Sequence, residues 1–169
     1  HLQIRIFLLL FFIPFQKAIS GNIKVMPEPG WLFKVQSQKA QSPSKALISN
    51  GYYIEFSDQQ VNLGVQTAYT HIIRHIINEL GVQNASEVSV NFAPEYQQVV
   101  FHKITIIRNG KVINQLNVDE IKVVQEETDA GSFQYNGIKR AFVVLKGVQK
   151  DDRIDFSYSI NGFNPVYEN

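Results

Sequence analysis

Residues 153–162 read RIDFSYSING, and their alternation is the tightest constraint that the sequence places on a fold. Ile154, Phe156, Tyr158 and Ile160 take turns with Asp155, Ser157, Ser159 and Asn161. A period of two puts the apolar set on one side of an extended backbone and the polar set on the other, which is the pattern of a half-buried antiparallel strand. SEVSVNF repeats it with Val88, Val90 and Phe92, and Pro94 ends the run. VVFHKITII leads through Arg108-Asn109-Gly110-Lys111 into VINQL. Asn-Gly between two apolar runs marks a tight hairpin, because both turn positions need positive φ. KRAFVVLKGV adds another strand, and Gly147 to Asp152 turns it into the last one. Only NVDEIKVVQEE leaves room for a short helix. Five or six strands joined by turns predict an all-β fold, a sandwich or an open barrel, of which the antiparallel β-sandwich is the expected one.

Hydrophobic residues make up 44% of the 169 and charged ones 18%, enough apolar material for one domain with a real core. The formal charge is +1 and no Lys/Arg run is interleaved with aromatics, so the electrostatic footprint of nucleic-acid binding is missing. With no cysteine, disulfides, thiolate zinc sites and thiol nucleophiles are excluded from these residues.

Residues 1–20 read as a secretory signal: Arg5, an apolar run from Ile6 to Ile13, then Ala18 and Ser20 in the small-x-small arrangement that precedes cleavage. As a membrane anchor the run is too short, since a spanning helix takes ~20 residues, and Pro14 interrupts it. Export to the periplasm or cell surface is therefore expected, with no stable membrane span after cleavage. Removing Arg5 and Lys17 leaves 14 basic against 15 acidic groups, a nearly neutral mature chain. Residues 21–50, with Pro27, Pro29 and Pro43, read as an extended lead-in. Residues 51–169 form the expected sandwich. Because the sequence starts at His1 and stops at NPVYEN, it is expected to be a piece of a longer protein, its sandwich incomplete at the C-terminal end.

THIIRHIINELG, residues 70–81, poses the sharpest local question. Ile72, Ile73, Ile76, Ile77 and Leu80 make a helical stripe with Gly81 as its cap, and that helix would carry His71 and His75 one turn apart, as zinc ligands are. Against a zinc hydrolase, Ile72 stands where the metalloprotease motif has glutamate. Arg74 lies between the histidines, and His102 is the only other histidine after residue 20. The β-branched isoleucines favour a strand, in which residues four apart are ~13 Å distant and cannot chelate one ion. No metal or other cofactor is expected.

The remaining candidates are few. His102 alternates with Val100, Ile104 and Ile106, which predicts a place on their apolar face. Asp151 and Asp152 are neighbours, which in a strand point to opposite faces and so do not pair as catalytic carboxylates, and they are too few for a calcium loop, so they read as a solvated turn. The loop EETDAGSFQYNG, Glu126 to Gly137, is the most suggestive binding segment, with Glu127 and Tyr135 in it and Arg140 just beyond. Trp31, Tyr52 and Tyr53 are the aromatics that a free-standing carbohydrate- or peptide-binding module would use. Asn84-Ala85-Ser86 fits the glycosylation triplet. No phosphate loop, nucleophile elbow or Ser/His/Asp spacing occurs.

The order of PGWL, GYYIEFSDQQVNL, HIINELGVQNASEVSVNFAPEYQ, FHKITIIRNGKVI, EETDAGSFQYNG and LKGVQKDDRIDFSYSINGFNP resembles the uncharacterised N-terminal domain of secreted bacterial transglutaminase-like proteins. The resemblance runs from about Trp31 to the last residue and departs in the final turn, Asp151-Asp152, where the family has Gly-Asp. It implies a non-catalytic accessory or recognition β-sandwich preceding a papain-like transglutaminase core, whose Cys, His and Asp would lie downstream. It also implies that the segment before GVQNASEVSVNF is a long strand ending in a turn.

Overall fold

A computed structural model describes residues 21–35, 43, 48–125 and 137–165. Among the described residues nine strands build two sheets. They are β1 (Ile23–Val25), β2 (Tyr52–Asn62), β3 (Thr67–Ile76), β4 (Glu87–Phe92), β5 (Gln98–Arg108), β6 (Lys111–Asn114), β7 (Lys122–Gln125), β8 (Lys139–Val144) and β9 (Arg153–Asn161). The larger sheet runs β1-β5-β9-β3-β2, and β6 shares with β1 the edge of β5 that faces away from β9. The smaller runs β4-β8-β7. All pairings are antiparallel except β1 with β5. The two sheets stack as a sandwich.

Alternation explains the core. Val88, Val90 and Phe92 of β4 and Ala141 and Val143 of β8 meet Ile104 and Ile106 of β5 and Ile154 and Phe156 of β9, all buried. Burying side chains of this size stabilises by roughly 1.5–3 kcal/mol each. The Asn109-Gly110 turn forms as the sequence predicts, with φ of 49° and 76° and Arg108 paired to Lys111.

Three segments depart from expectation. The strand reading of 70–81 holds from Thr67 to Ile76, so the helical stripe is not a helix there. Arg74 lands on the inner face instead of beside the histidines, its guanidinium 4.7 Å from the Phe156 ring centre and donating to the Glu87 carbonyl. After it comes a short helix, α1 (Glu79–Ala85), where a turn was expected. Asn78 caps it by accepting from the Gly81 amide at 3.1 Å. Gly81 serves close approach and not a helix end: a Cβ there would lie 1.9 Å from the Gly51 carbonyl oxygen. NVDEIKVVQEE holds a single 3-10 turn, Val118–Glu120, and then β7.

Asp151-Asp152 is not a solvated turn throughout. Asp151 takes the left-handed conformation, φ 68°, but Asp152 is buried. Its carboxylate accepts twice from Arg108, both at 2.8 Å, and once from the Gln149 amide. It fixes the turn that aims β9 into the centre of the sheet.

Candidate functional site

The outer face of the larger sheet, turned away from the core, is where polar side chains converge. β9 lies between β3 and β5, so its outer residues Asp155, Ser157 and Ser159 are flanked on both sides. Cross-strand register sets His71 and Lys103 beside Ser157, and Tyr69 and Val100 beside Ser159. Lys103 is there because β5 bulges between Phe101 and Lys103. The extra residue shifts the phase, so Ile104 and Ile106 face the core while His102 bonds to outer-face groups. The expectation that His102 shares the face of Ile104 and Ile106 is thereby corrected.

The lead-in closes this face. β1 pairs with β5, and the chain then crosses to reach β2 at Phe33. Glu28 accepts from the Tyr69 hydroxyl at 2.7 Å and from the Ser157 hydroxyl at 2.8 Å through one carboxylate oxygen. His102 bonds the Met26 carbonyl at 3.0 Å and the Ser159 hydroxyl at 2.8 Å. A carbonyl only accepts, so in the neutral ring Nδ1 carries the hydrogen and Nε2 receives the one from Ser159. Gln60 both donates to the Phe33 carbonyl and accepts from its amide, each at 2.9 Å.

Charge completes the network. His71 Nε2 is 2.8 Å from Asp155 Oδ1, and Lys103 Nζ is 2.9 Å from the same oxygen. Burial works against the charged form of Asp155, but the bonds and charge of His71 and Lys103 outweigh it and hold its pKa below the ordinary value. Glu28 follows the same balance: burial raises it, while Tyr69, Ser157, Lys103 and His71 bring it below the usual carboxylate value. Tyr69 is pushed well above an ordinary phenol, first by burial and then by donating to Glu28. Further along, His75 bonds the Tyr53 hydroxyl at 2.9 Å, and burial together with nearby Arg153 lowers its pKa.

A groove of about 480 Å³ lies between the lead-in and β2 and β3, with Phe33, Phe56, Asp58, Tyr69, His71 and Ile73 in its walls. Ser157, His71 and Asp155 are the types of a nucleophilic triad, yet their connections differ from one. Ser157 is fully buried and gives its hydrogen to Glu28 rather than to an imidazole. What this arrangement does is anchor an extended segment across the sheet.

The residues singled out in sequence fare unevenly. Glu127 and Tyr135 lie outside the described residues. Arg140 sits on β8, paired with Glu87 at 2.6 Å and stacked 4.9 Å from the Phe142 ring centre, on the smaller sheet and apart from the outer-face network. His71 and His75 share a strand face and have separate partners, Asp155 and Tyr53. Among the described residues no group of three or more His, Cys, Asp or Glu is placed to hold a metal. Tyr52 packs against the core while Tyr53 faces outward, and Trp31 lines a concavity at the far end of β2. The three aromatics form no common platform. Asn84 lies in α1 and donates to the Asn50 carbonyl. No described helix is long and apolar enough to cross a membrane.

Sequence reasoning missed Glu28, Tyr69, Lys103, Asp155 and Ser157. The signal was present in β9 alone, where the polar positions are small or acidic and the strand is the last in sequence yet central in the sheet.

Residues 63–169 match the family model described as a domain of unknown function with a solved structure, DUF3857. The lead-in and β2 precede the matched residues but hydrogen-bond into the same sheet. No curated protein matches the chain. Among solved structures, a "putative protease" from Parabacteroides distasonis superposes with a TM-score of 0.53 at 17% identity, over 63% of this chain and 22% of that one. That likeness concerns the fold. The chain spans about a fifth of the length of that protein.

Proposed function

The chain belongs to the DUF3857 family, and from that premise we propose that it is a non-catalytic accessory or recognition β-sandwich of a larger exported protein, placed ahead of a transglutaminase-like, papain-type core. One observation carries the reading: the residues nearest to a catalytic constellation are already bonded to one another and to the lead-in. Ser157 is committed to Glu28, His71 and Lys103 to Asp155, and His102 to Met26 and Ser159. A general base or nucleophile needs a free approach for substrate, and Ser157 offers none. The short share of the longer structural neighbour that this fold covers is in keeping with a module of a larger chain. Residues 1–20 support export to the periplasm or cell surface. No cofactor is required, and the partner is the downstream domain of the same polypeptide, with a peptide or glycan ligand as a further role for the sandwich.

Sequencing the gene beyond Asn169 tests the association, and a Cys/His/Asp core within the next few hundred codons is the expected result. Acyl-transfer or hydrolytic activity of the full-length protein should then vanish when that cysteine is replaced and persist in Ser157→Ala. Loss of turnover in Ser157→Ala with the fold intact would move the chemistry into this domain and end the accessory reading.

A further inference from the structure

The largest anomaly outside the polar network is apolar. At the Asn62 end of β2, Phe33 is 82% exposed, Leu63 76%, Val61 60% and Val65 58%. Phe33, Val61 and Leu63, with Trp31 and Val35, border a concavity of about 610 Å³ that wraps the edge of the outermost strand, and Val65 lies just beyond Leu63 in the chain. None of the described residues lining it is charged, and depletion of charge with aromatic enrichment marks the centre of a protein interface. Clusters of this kind on a soluble surface are sites of association.

Phe33 is held out, not merely left out. Gln60 clamps its backbone from both sides, at 2.9 Å each, so the exposed ring projects from a fixed point. A rigid aromatic loses little freedom on being covered, which is the property of an interface anchor.

The place where β9 ends identifies the occupant. Asn161 pairs with Thr67, and the Gly162 amide donates to the Gln66 carbonyl at 2.8 Å. Gln66 directly follows Val65. Gly162 has φ 97°, and a Cβ there would lie 1.9 Å from the Tyr96 carbonyl oxygen, so the direction in which the chain leaves the sheet is fixed by a turn that only glycine accommodates. β9 therefore ends beside the turn that carries Leu63 and Val65. A body tethered in the same polypeptide meets this patch at an effective concentration set by its linker and not by the bulk, which lowers the contact area that docking needs.

We propose that the corner formed by Trp31, Phe33, Val61, Leu63 and Val65 is the seat against which the body following this chain in the full-length polypeptide docks. The inference rests on the accessory-domain reading above. It fixes the orientation of the two bodies, with the Asn62 end of β2 inward and the groove beside the lead-in near their junction.

Hydroxyl-radical footprinting of the full-length protein tests it, reading oxidation of Trp31, Phe33 and Leu63 over a range of protein concentrations. The expected result is protection of all three that does not change with concentration. Phe33→Asp should shift the docked equilibrium by roughly thirty-fold towards the open form, the effect of losing one anchor, and release Trp31 and Leu63 to the label. Since Phe33 is exposed, β3 and β9 should keep their amide protection in that variant, which separates undocking from unfolding. Free labelling of the three residues in a protein that does carry a downstream body overturns the docking and leaves the accessory reading standing. Protection that grows with concentration overturns it in favour of a second copy. A gene that encodes no following body removes the accessory reading itself.

Discussion

On the inner face of β9, Ile154 and Phe156 are sealed by apolar side chains of β4 and β8. On its outer face Ser157 and Ser159 are no more exposed, at 0% and 1% against 0% and 2%, and what seals them is a strap of backbone with Glu28, His102 and their bonds. The two kinds of burial obey different physics. Apolar contact has no direction and survives small shifts, whereas a buried hydroxyl or carboxylate needs its partner at the right place and in the right protonation state. The inner face should therefore respond to lost volume, and the outer face to lost partners and to pH.

The largest effect is expected inside. Phe156→Ala removes a ring that is buried between the sheets and under Arg74, and the fold should lose ~3–5 kcal/mol. Urea denaturation followed by fluorescence of Trp31 and by far-UV circular dichroism should show one shared midpoint, displaced in both signals. A loss under about 1 kcal/mol would mean that the sheets are not packed through this ring.

Outside, Asp155→Ala leaves Lys103 and His71 facing each other without the carboxylate that joins them. A destabilisation of roughly 2 kcal/mol is expected, since Lys103 is partly solvated and can relax. Lys103→Met in the same background should recover part of it, because removing the second charge ends the mismatch. Failure of that rescue would show that Asp155 acts through its backbone neighbours and not through the charge pair.

The inner face was legible because alternation is written in the residues themselves: Val88, Val90 and Phe92 of β4, and Ile154 and Phe156 of β9, fall where a period of two puts them. The same rule put Asp155, Ser157 and Ser159 on the polar side, and there it failed, because their partners are distant in sequence: Glu28 for Ser157, His71 and Lys103 for Asp155, and His102 for Ser159. Local pattern carries no information about such a contact. The β5 bulge was hidden for a related reason: one extra residue reverses the phase, and VVFHKITII looks uninterrupted. His71 and His75 were correctly placed on a strand by their β-branched neighbours, and the fold then gave each its own partner. Glu127 and Tyr135 fall outside the described residues, and Arg140 belongs to the smaller sheet.

A smaller effect separates the strap from the sheet. Glu28→Gln keeps the shape and one acceptor oxygen but removes the charge that draws on Tyr69, Ser157 and Lys103. About 1 kcal/mol should be lost, and lost locally. Amide exchange should quicken from Asn22 to Leu32 while the amides of β4 and β8 stay as slow as in the wild type. Uniform quickening would mean that the strap and the sandwich unfold as one unit.

The finest test is titration. Glu28 and Asp155 both have folded pKa values below their ordinary 4.5 and 3.8, so their contribution is complete above those values and fades as pH falls through the depressed ones. His75 has a folded pKa below its ordinary 6.5. Acid favours the unfolded form at this position too, because the buried ring resists the proton, and stability begins to decline below about pH 6.5. Lowering the pH from 7 to 5.5 should therefore reduce stability, the loss arising at His75. A steeper decline should appear below pH 4.5, where the Glu28 contact loosens. His75→Gln should flatten the first part of the curve and leave the second, and Glu28→Gln should leave the first and remove only the Glu28 share of the second, Asp155 keeping the rest. If one substitution flattened both parts, the outer face would behave as a single titrating unit, and its division into a His75 cluster and a Glu28 strap would have to be given up.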